Sequence, residues 1–398
     1  MHRTLPLCTA ALLAAASWNV GPRAGADDGQ ILDAGARPGT LPLSEVRAAL
    51  ERPGAHEPFL PRAPLGIPAD LAPYVPADNP ITPAKVELGR QLYFDPRLSA
   101  DVTVSCAGCH HPDRGWGDGR PVSTGIRGQK GGRSAPSVAN RILGKTQFWD
   151  GRAASLEEQA LGPVENPIEM GAAWDDVERV IAAVPGYALQ FERVFGGAPT
   201  RATIAQAIAT FERTVLSGAS PYDYFEAATP WYNADIEEES DPDVLARYEA
   251  AMKGEKEHPL SESAKRGREL FFGKANCSAC HVGWDLSDED FHNIGIGMDA
   301  AEPDPGRQKV TGRAEDLGAY KTSPLHDVAL TAPYMHDGSL KTLREVVEHY
   351  DRGGTPNPNL SDKIFALELN EQEILDLVEF LEQGLTGTVT RVPVPRLP

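Results

Sequence analysis

Apolar residues along this 398-residue chain recur at helical spacing. Ile204, Ile208, Phe211 and Val215 fall on one face of a helix that Gly218 would end. Upstream, Thr82-Pro83 has the chemistry of a cap and first turn for a helix carrying Leu88 and Leu92. Near the C-terminus, Asn370 followed by Glu373 is an N-cap signature; Ile374, Leu377, Val378 and Leu381 form the stripe, and Gly384 is the stop. No segment alternates apolar and polar residues as a half-buried strand does, so an all-α protein with long loops is expected.

Two N-terminal segments stand outside this pattern. Arg3, the apolar stretch Leu5 to Ser17 and the small-residue site Ala24-Gly25-Ala26 read as a secretory signal over residues 1–26. The apolar stretch is too short to span a bilayer, and nothing later is longer, so a soluble periplasmic protein is expected. Residues 27–75 are rich in proline and turn residues and read as an irregular extension, with one short helical stretch near Leu43 to Leu50.

The rest of the chain repeats itself. "LGRQLYFD" (88–95) corresponds to "RGRELFFG" (266–273), "SAPSVANR" to "TSPLHDVA", and "FWDGRAASLEEQ" to "MHDGSLKTLREV", in the same order in both halves. Two copies of one helical unit are expected, over 76–235 and 258–388, joined by an acidic linker (236–257) and followed by a tail (389–398).

Each unit carries one "CxxCH": "CAGCH" at 106–110 and "CSACH" at 277–281. A zinc site would need further Cys or His ligands at finger-like spacing, and a redox dithiol has no use for the histidine. Thiols at i and i+3 can add across the two vinyl groups of one porphyrin, placing the next histidine under the iron. Of five cysteines, Cys8 lies in the signal, where Leu5-Pro6-Leu7-Cys8 is a poor lipoprotein box; the other four all sit in these motifs, leaving none for a disulfide framework. Two covalently bound haem c groups follow, attached through Cys106, Cys109, Cys277 and Cys280, with His110 and His281 as axial ligands. Amphipathic helices around a CxxCH describe a class I cytochrome c-like domain. Removing the signal's two arginines leaves 36 basic against 57 acidic residues, a net charge of −21. Such a surface repels nucleic acid and suits a basic protein partner. The densest acidic run, "DIEEESDPD", reads as solvated linker.

From Asn79 to Gly387 the chain resembles the bacterial di-haem cytochrome c peroxidases, and in particular their MauG-like branch. The resemblance rests on "LGRQLYFDPRLS", "SCAGCHHP", "QFWDGRAASLEEQALGPVENPIEMG", "CSACHVG", "FHNIGIG" and "LTAPYMHDGSLKTLREVVEHY". It implies that hydrogen peroxide reacts at the N-terminal haem while the C-terminal haem relays or stores electrons. By the same resemblance Glu169 is the distal acid–base group, Gln159 positions the peroxide, Pro163 shapes the pocket and Trp149 sits between the haems. On the residues alone, the plainer readings are favoured: Glu169 as a solvated carboxylate and Trp149 as a core aromatic. The family also implies a calcium ion, for which Thr331 and Pro333 match ligand positions. Ser134 replaces the usual asparagine with a shorter and weaker ligand. Members are often homodimers.

Three departures carry meaning. Ile126, in "STGIRGQKGG", stands where the classical peroxidases of the family place a loop histidine that caps the first iron, and isoleucine cannot ligate iron. Tyr350, in "VVEHYDRGG", stands where they supply a methionine to the second haem; a hard phenolate favours ferric iron where a thioether favours ferrous. Met335, Met298, His336 and His349 remain alternative ligands there. His326 replaces a common arginine and would pair with a haem propionate only when protonated. Three functions compete: a peroxide reductase fed by a small c-type cytochrome or copper protein; a MauG-like oxidase that modifies Trp or Tyr of a partner protein; and a non-enzymatic di-haem electron carrier, against which Ile126 and Glu169 argue.

Overall fold

The structure, a computed structural model, describes residues 40–236 and 241–398. The signal segment and part of the acidic run therefore lie outside the described residues.

In chain order the α-helices of the first half are α1 (Leu43–Leu50), α2 (Pro83–Tyr93), the single turn α3 (Cys106–Cys109), α4 (Leu156–Glu165), α5 (Trp174–Ala182), α6 (Pro185–Phe195), α7 (Arg201–Glu212) and α8 (Pro221–Ala228). There follow α9 (Pro242–Glu257), α10 (Glu262–Phe271), the short α11 (Gln308–Thr311), α12 (Leu343–Asp351) and α13 (Glu371–Glu379). The only sheet among the described residues pairs β1 (Phe291–His292) with β2 (Tyr320–Lys321), antiparallel with Phe291 opposite Lys321. The all-α, two-domain cytochrome c-like expectation holds.

The caps form as their chemistry requires. The Thr82 hydroxyl accepts from the Lys85 N–H with Pro83 in the first turn, and Asn370 and Glu373 make a reciprocal capping box. Each half is then closed by one helix crossing. In the first, α2 lies across α7; in the second, α10 lies across α13. The crossings are close because a glycine stands at each. A Cβ on Gly89 would come within 1.9 Å of the Ala207 carbonyl oxygen, and one on Gly267 within 1.9 Å of the Asp376 oxygen. Phe211 and Phe380 fill corresponding places in the two cores and are fully buried, each stabilising its domain by about 2–3 kcal/mol. Gly267→Ala would push α10 off α13 and cost at least ~1–3 kcal/mol, read as a lower denaturant midpoint for the second half.

Two segments differ from expectation. The stretch set down as an acidic linker is helical from Pro242 to Glu257, because its residues are strong helix formers and Asp241 accepts from the Asp243 N–H at the start. Gly254 lies against Tyr224, which stacks on His258 at 4.3 Å, so this helix is fastened to α8. The tail does not trail: it returns across the first half. Val392 is buried in that core, and the Trp116 indole donates to the Thr390 carbonyl at 3.1 Å. Arg90 donates to the Pro393 carbonyl at 2.9 Å, Arg97 to that of Pro398 at 3.1 Å, and the Leu41 N–H to that of Leu397 at 2.8 Å. These bonds clamp the extension, the tail and the first domain together.

Candidate functional site: a cavity shared by both CxxCH motifs

One cavity of about 1240 Å³ reaches both motifs, with Cys106, His110, Cys277 and His281 all in its wall. It exceeds the ~1,000 Å³ upper end of ordinary ligand pockets. Trp149 lines it as well.

The two histidines are prepared in the same way. His110 Nδ1 donates to the Pro136 carbonyl and His281 Nδ1 to that of Leu286, each at 2.9 Å. This tautomer leaves the lone pair on Nε2, the arrangement that orients an imidazole for a metal. Burial lowers the pKa of both rings and keeps the neutral, ligating form. The four cysteines are unpaired thiols, and burial raises their pKa values, Cys277 to about 12. Free thiols beside a neutral imidazole at each motif, in a large and mainly apolar cavity, fit two covalently attached haems.

The structure brings Gln159, Pro163 and Glu169 into the wall of that cavity together with His110. Gln159 and Pro163 share α4, whose Ser155 cap accepts from the Glu158 N–H. Pro163 lacks an N–H, so it opens the last turn and lets the chain swing back, with the Met170 N–H donating to the Pro163 carbonyl at 3.2 Å. That return places Glu169. Its Oε1 accepts from Asn166 Nδ2 at 2.6 Å. Burial raises its pKa, opposed by the Arg152 charge and the Asn166 bond. Arg152 also lines the cavity; it lies over the Phe148 ring at 3.5 Å and is held by Asp150 at 3.0 Å. Sequence reasoning passed over Asn166 and Arg152, although both lie within the stretch quoted for the resemblance.

Trp149 joins the halves. Its indole donates to the Ser134 carbonyl at 2.9 Å, and its own carbonyl accepts from the Lys321 N–H at 2.8 Å. The Ser134 hydroxyl donates to the Met335 carbonyl at 2.9 Å, and Thr331 and Pro333 stand in the same wall. Ile126 is buried, but its side chain packs on Gly171 away from the cavity, while its N–H donates to the Glu169 carbonyl at 2.8 Å. The loop thus supports Glu169, and the Ile126 side chain does not enter the cavity wall.

In the second half Tyr350 lines the cavity with His281, and burial raises its phenol pKa. Of the alternatives, Met335 and His336 also line the cavity, His336 stacked on Tyr320 at 3.7 Å. His349 uses both ring nitrogens elsewhere, donating to the Ile294 carbonyl at 2.9 Å and accepting from Arg352 at 3.1 Å. The Met298 sulfur lies against Gly318, away from the cavity wall. His326 departs from expectation. Its Nε2 meets Asp223 at 3.2 Å and its Nδ1 faces Asp285 at 3.7 Å. Burial disfavours its charge, but the two carboxylates outweigh burial and raise its pKa to about 10, so the charged ring is engaged by protein carboxylates.

A mostly helical protein with two CxxCH motifs in one cavity is a di-haem c-type cytochrome. The sequence profile of the di-haem cytochrome c peroxidase family matches residues 83–229, and that of cytochrome c matches 264–384. The chain is 40% identical to the methylamine utilization protein MauG of Methylorubrum extorquens, covering 81% of this chain and 84% of that protein. It is 37% identical to the cytochrome-c peroxidase IdrP1 of Denitromonas iodatirespirans, over 77% and 83% respectively. A crystal structure of a MauG-like protein associated with microbial copper homeostasis superposes with a TM-score of 0.67 at 32% identity, covering 83% of this chain and 94% of that one. The chain belongs to the di-haem cytochrome c peroxidase family and carries two covalently bound haem c groups.

Proposed function

We propose that this chain reduces hydrogen peroxide to water at the N-terminal haem site. The electrons come from a small c-type cytochrome or copper protein by way of the C-terminal site. The observation that carries the reading is the half-buried carboxyl of Glu169 in the cavity wall beside Gln159 and Pro163, in the half that holds His110. A haem held at His110 supplies the iron at which the O–O bond is broken. The Glu169 carboxylate would be the group that takes a proton from one peroxide oxygen and gives it to the other, so that the second leaves as water. The Gln159 amide orients the peroxide, and Asn166 holds Glu169 in place. Two electrons and two protons are consumed for each peroxide. Trp149, between the halves, would be the stepping point for electrons, and Tyr350 would hold the C-terminal haem iron together with His281.

A calcium ion belongs to the same reading, with Thr331, Pro333 and Ser134 contributing oxygens. Calcium takes six to eight oxygens, so three residues leave the rest to water, and no step depends on it. No helix among the described residues is long and apolar enough to cross a membrane. Export through the signal at 1–26 would place the protein in the periplasm.

Tyr350 in the cavity favours a second reading, a MauG-like oxidase that uses peroxide to modify Trp or Tyr of a partner protein. Haem-loaded enzyme, peroxide and a reduced small cytochrome c separate the two. Rapid, peroxide-dependent oxidation of that cytochrome supports the reductase. Its absence, with a mass change in a secreted protein encoded by a neighbouring gene, supports the oxidase.

A further inference from the structure

The two halves of the chain are controls for each other. A side chain on Gly89 would meet the Ala207 oxygen and Phe211 Cβ; one on Gly267 would meet the Asp376 oxygen and Phe380 Cβ. This aligns α7 with α13 and the turn that follows it, so that Ile208 corresponds to Leu377 and Glu212 to Leu381. All four line the cavity. Three are apolar, and the fourth is a carboxyl.

Glu212 is 3% exposed, and its Oε2 has no hydrogen-bond partner. The charges around it are committed elsewhere. Arg213 binds Glu157 through both of its terminal nitrogens, at 2.7 and 2.9 Å, and Arg141 binds Glu289 at 2.7 and 3.1 Å. Tyr93, packed on Phe211 from α2, gives its hydroxyl to the His110 carbonyl at 3.2 Å. The other titratable neighbour, Cys106, is a haem attachment. Burial raises the Glu212 pKa to about 8; Arg213 and Arg141 oppose the rise and Glu157 adds to it. A leucine would fill the position, as Leu381 does, without leaving a buried polar atom unpaired. The carboxyl therefore serves something other than packing.

We propose that Glu212 is the redox-linked proton site of the N-terminal haem. When a one-electron donor reduces iron(III) to iron(II), the carboxylate takes one proton from solvent, and it releases that proton on reoxidation. The added electron raises the negative charge of a poorly screened cavity, which favours the protonated carboxyl. By linkage, the protonated carboxyl raises the potential. The proposal rests on the reading that a haem occupies the cavity at His110, and it places beside that haem a proton that moves with each electron.

The test is a spectroelectrochemical titration of the haem-loaded protein, with dithionite and mediators and no peroxide, from about pH 6 to 10. Wild type, E212Q and E212L are compared. The wild-type N-terminal haem potential should fall with rising pH in a window around 8 and then level off. Both variants should stay near the wild-type acid plateau, and the C-terminal haem should behave alike in all three. Should E212Q lose haem, E212L, which copies the residue of the second half, decides. Parallel curves in wild type and variant would overturn the proposal, as would variants lying at the alkaline level throughout. A wild type that titrates as expected but ignores peroxide would remove the peroxidase reading and leave Glu212 standing.

Discussion

Glu169→Gln should slow the reaction of the resting enzyme with peroxide by about 10²–10⁴-fold while leaving the haem absorption bands in place. Glutamine keeps the size of the side chain and its contact with Asn166, but it cannot carry a proton from one oxygen to the other. The loss corresponds to roughly 3–5 kcal/mol of barrier. The pH dependence follows from the same carboxyl. Burial raises the Glu169 pKa, so its basic form is lost as pH falls through a value higher than that of a free glutamate. The wild-type rate should therefore decline toward acid along a limb that is missing in the variant. Stopped-flow mixing with peroxide at several pH values measures both effects; an unchanged rate in the variant removes Glu169 from the mechanism.

The second large effect is expected at the other haem. Tyr350→Met should raise the potential of the C-terminal haem by a large fraction of the ~0.8 V that axial ligands span. A phenolate stabilises the ferric state, whereas a thioether stabilises the ferrous. Tyr350 stands half-buried in the cavity wall on α12, whose Thr342 and Glu345 form a capping box that fixes the first turn. Methionine at this position has the reach and flexibility to ligate in its place. Potentiometric titration of the two haems reads the change, and a potential and spectrum identical to wild type would mean that Tyr350 is not the ligand.

Much of this architecture is legible in the sequence because it is local. Capping residues, apolar stripes and the CxxCH spacing each report on neighbours a few positions away, and the repeated "LGRQLYFD" and "RGRELFFG" carry the glycines that permit both helix crossings. What stayed hidden depends on long-range contact. Composition marks residues 236–257 as an acidic linker, yet helix-forming residues and the Tyr224 contact make most of that stretch α9. Nothing local in "VTRVPVPRLP" shows that Arg90, Arg97 and Trp116, some 300 residues away, supply partners for its carbonyls. His326 reads as a propionate partner until Asp223 and Asp285, remote in sequence, are seen on either side of it. Glu212 was legible as one more residue of a helix; only the alignment of α7 with α13 marks it as a carboxyl where the other half has leucine.

With Ile126 facing away from the cavity and Tyr350 lining it, an iron at the N-terminal site should be open to peroxide and one at the C-terminal site closed. The EPR spectrum of the resting, haem-loaded ferric protein tests this most directly. One high-spin signal beside one low-spin signal is expected. Two low-spin haems would contradict it, because some other residue would then close the first iron.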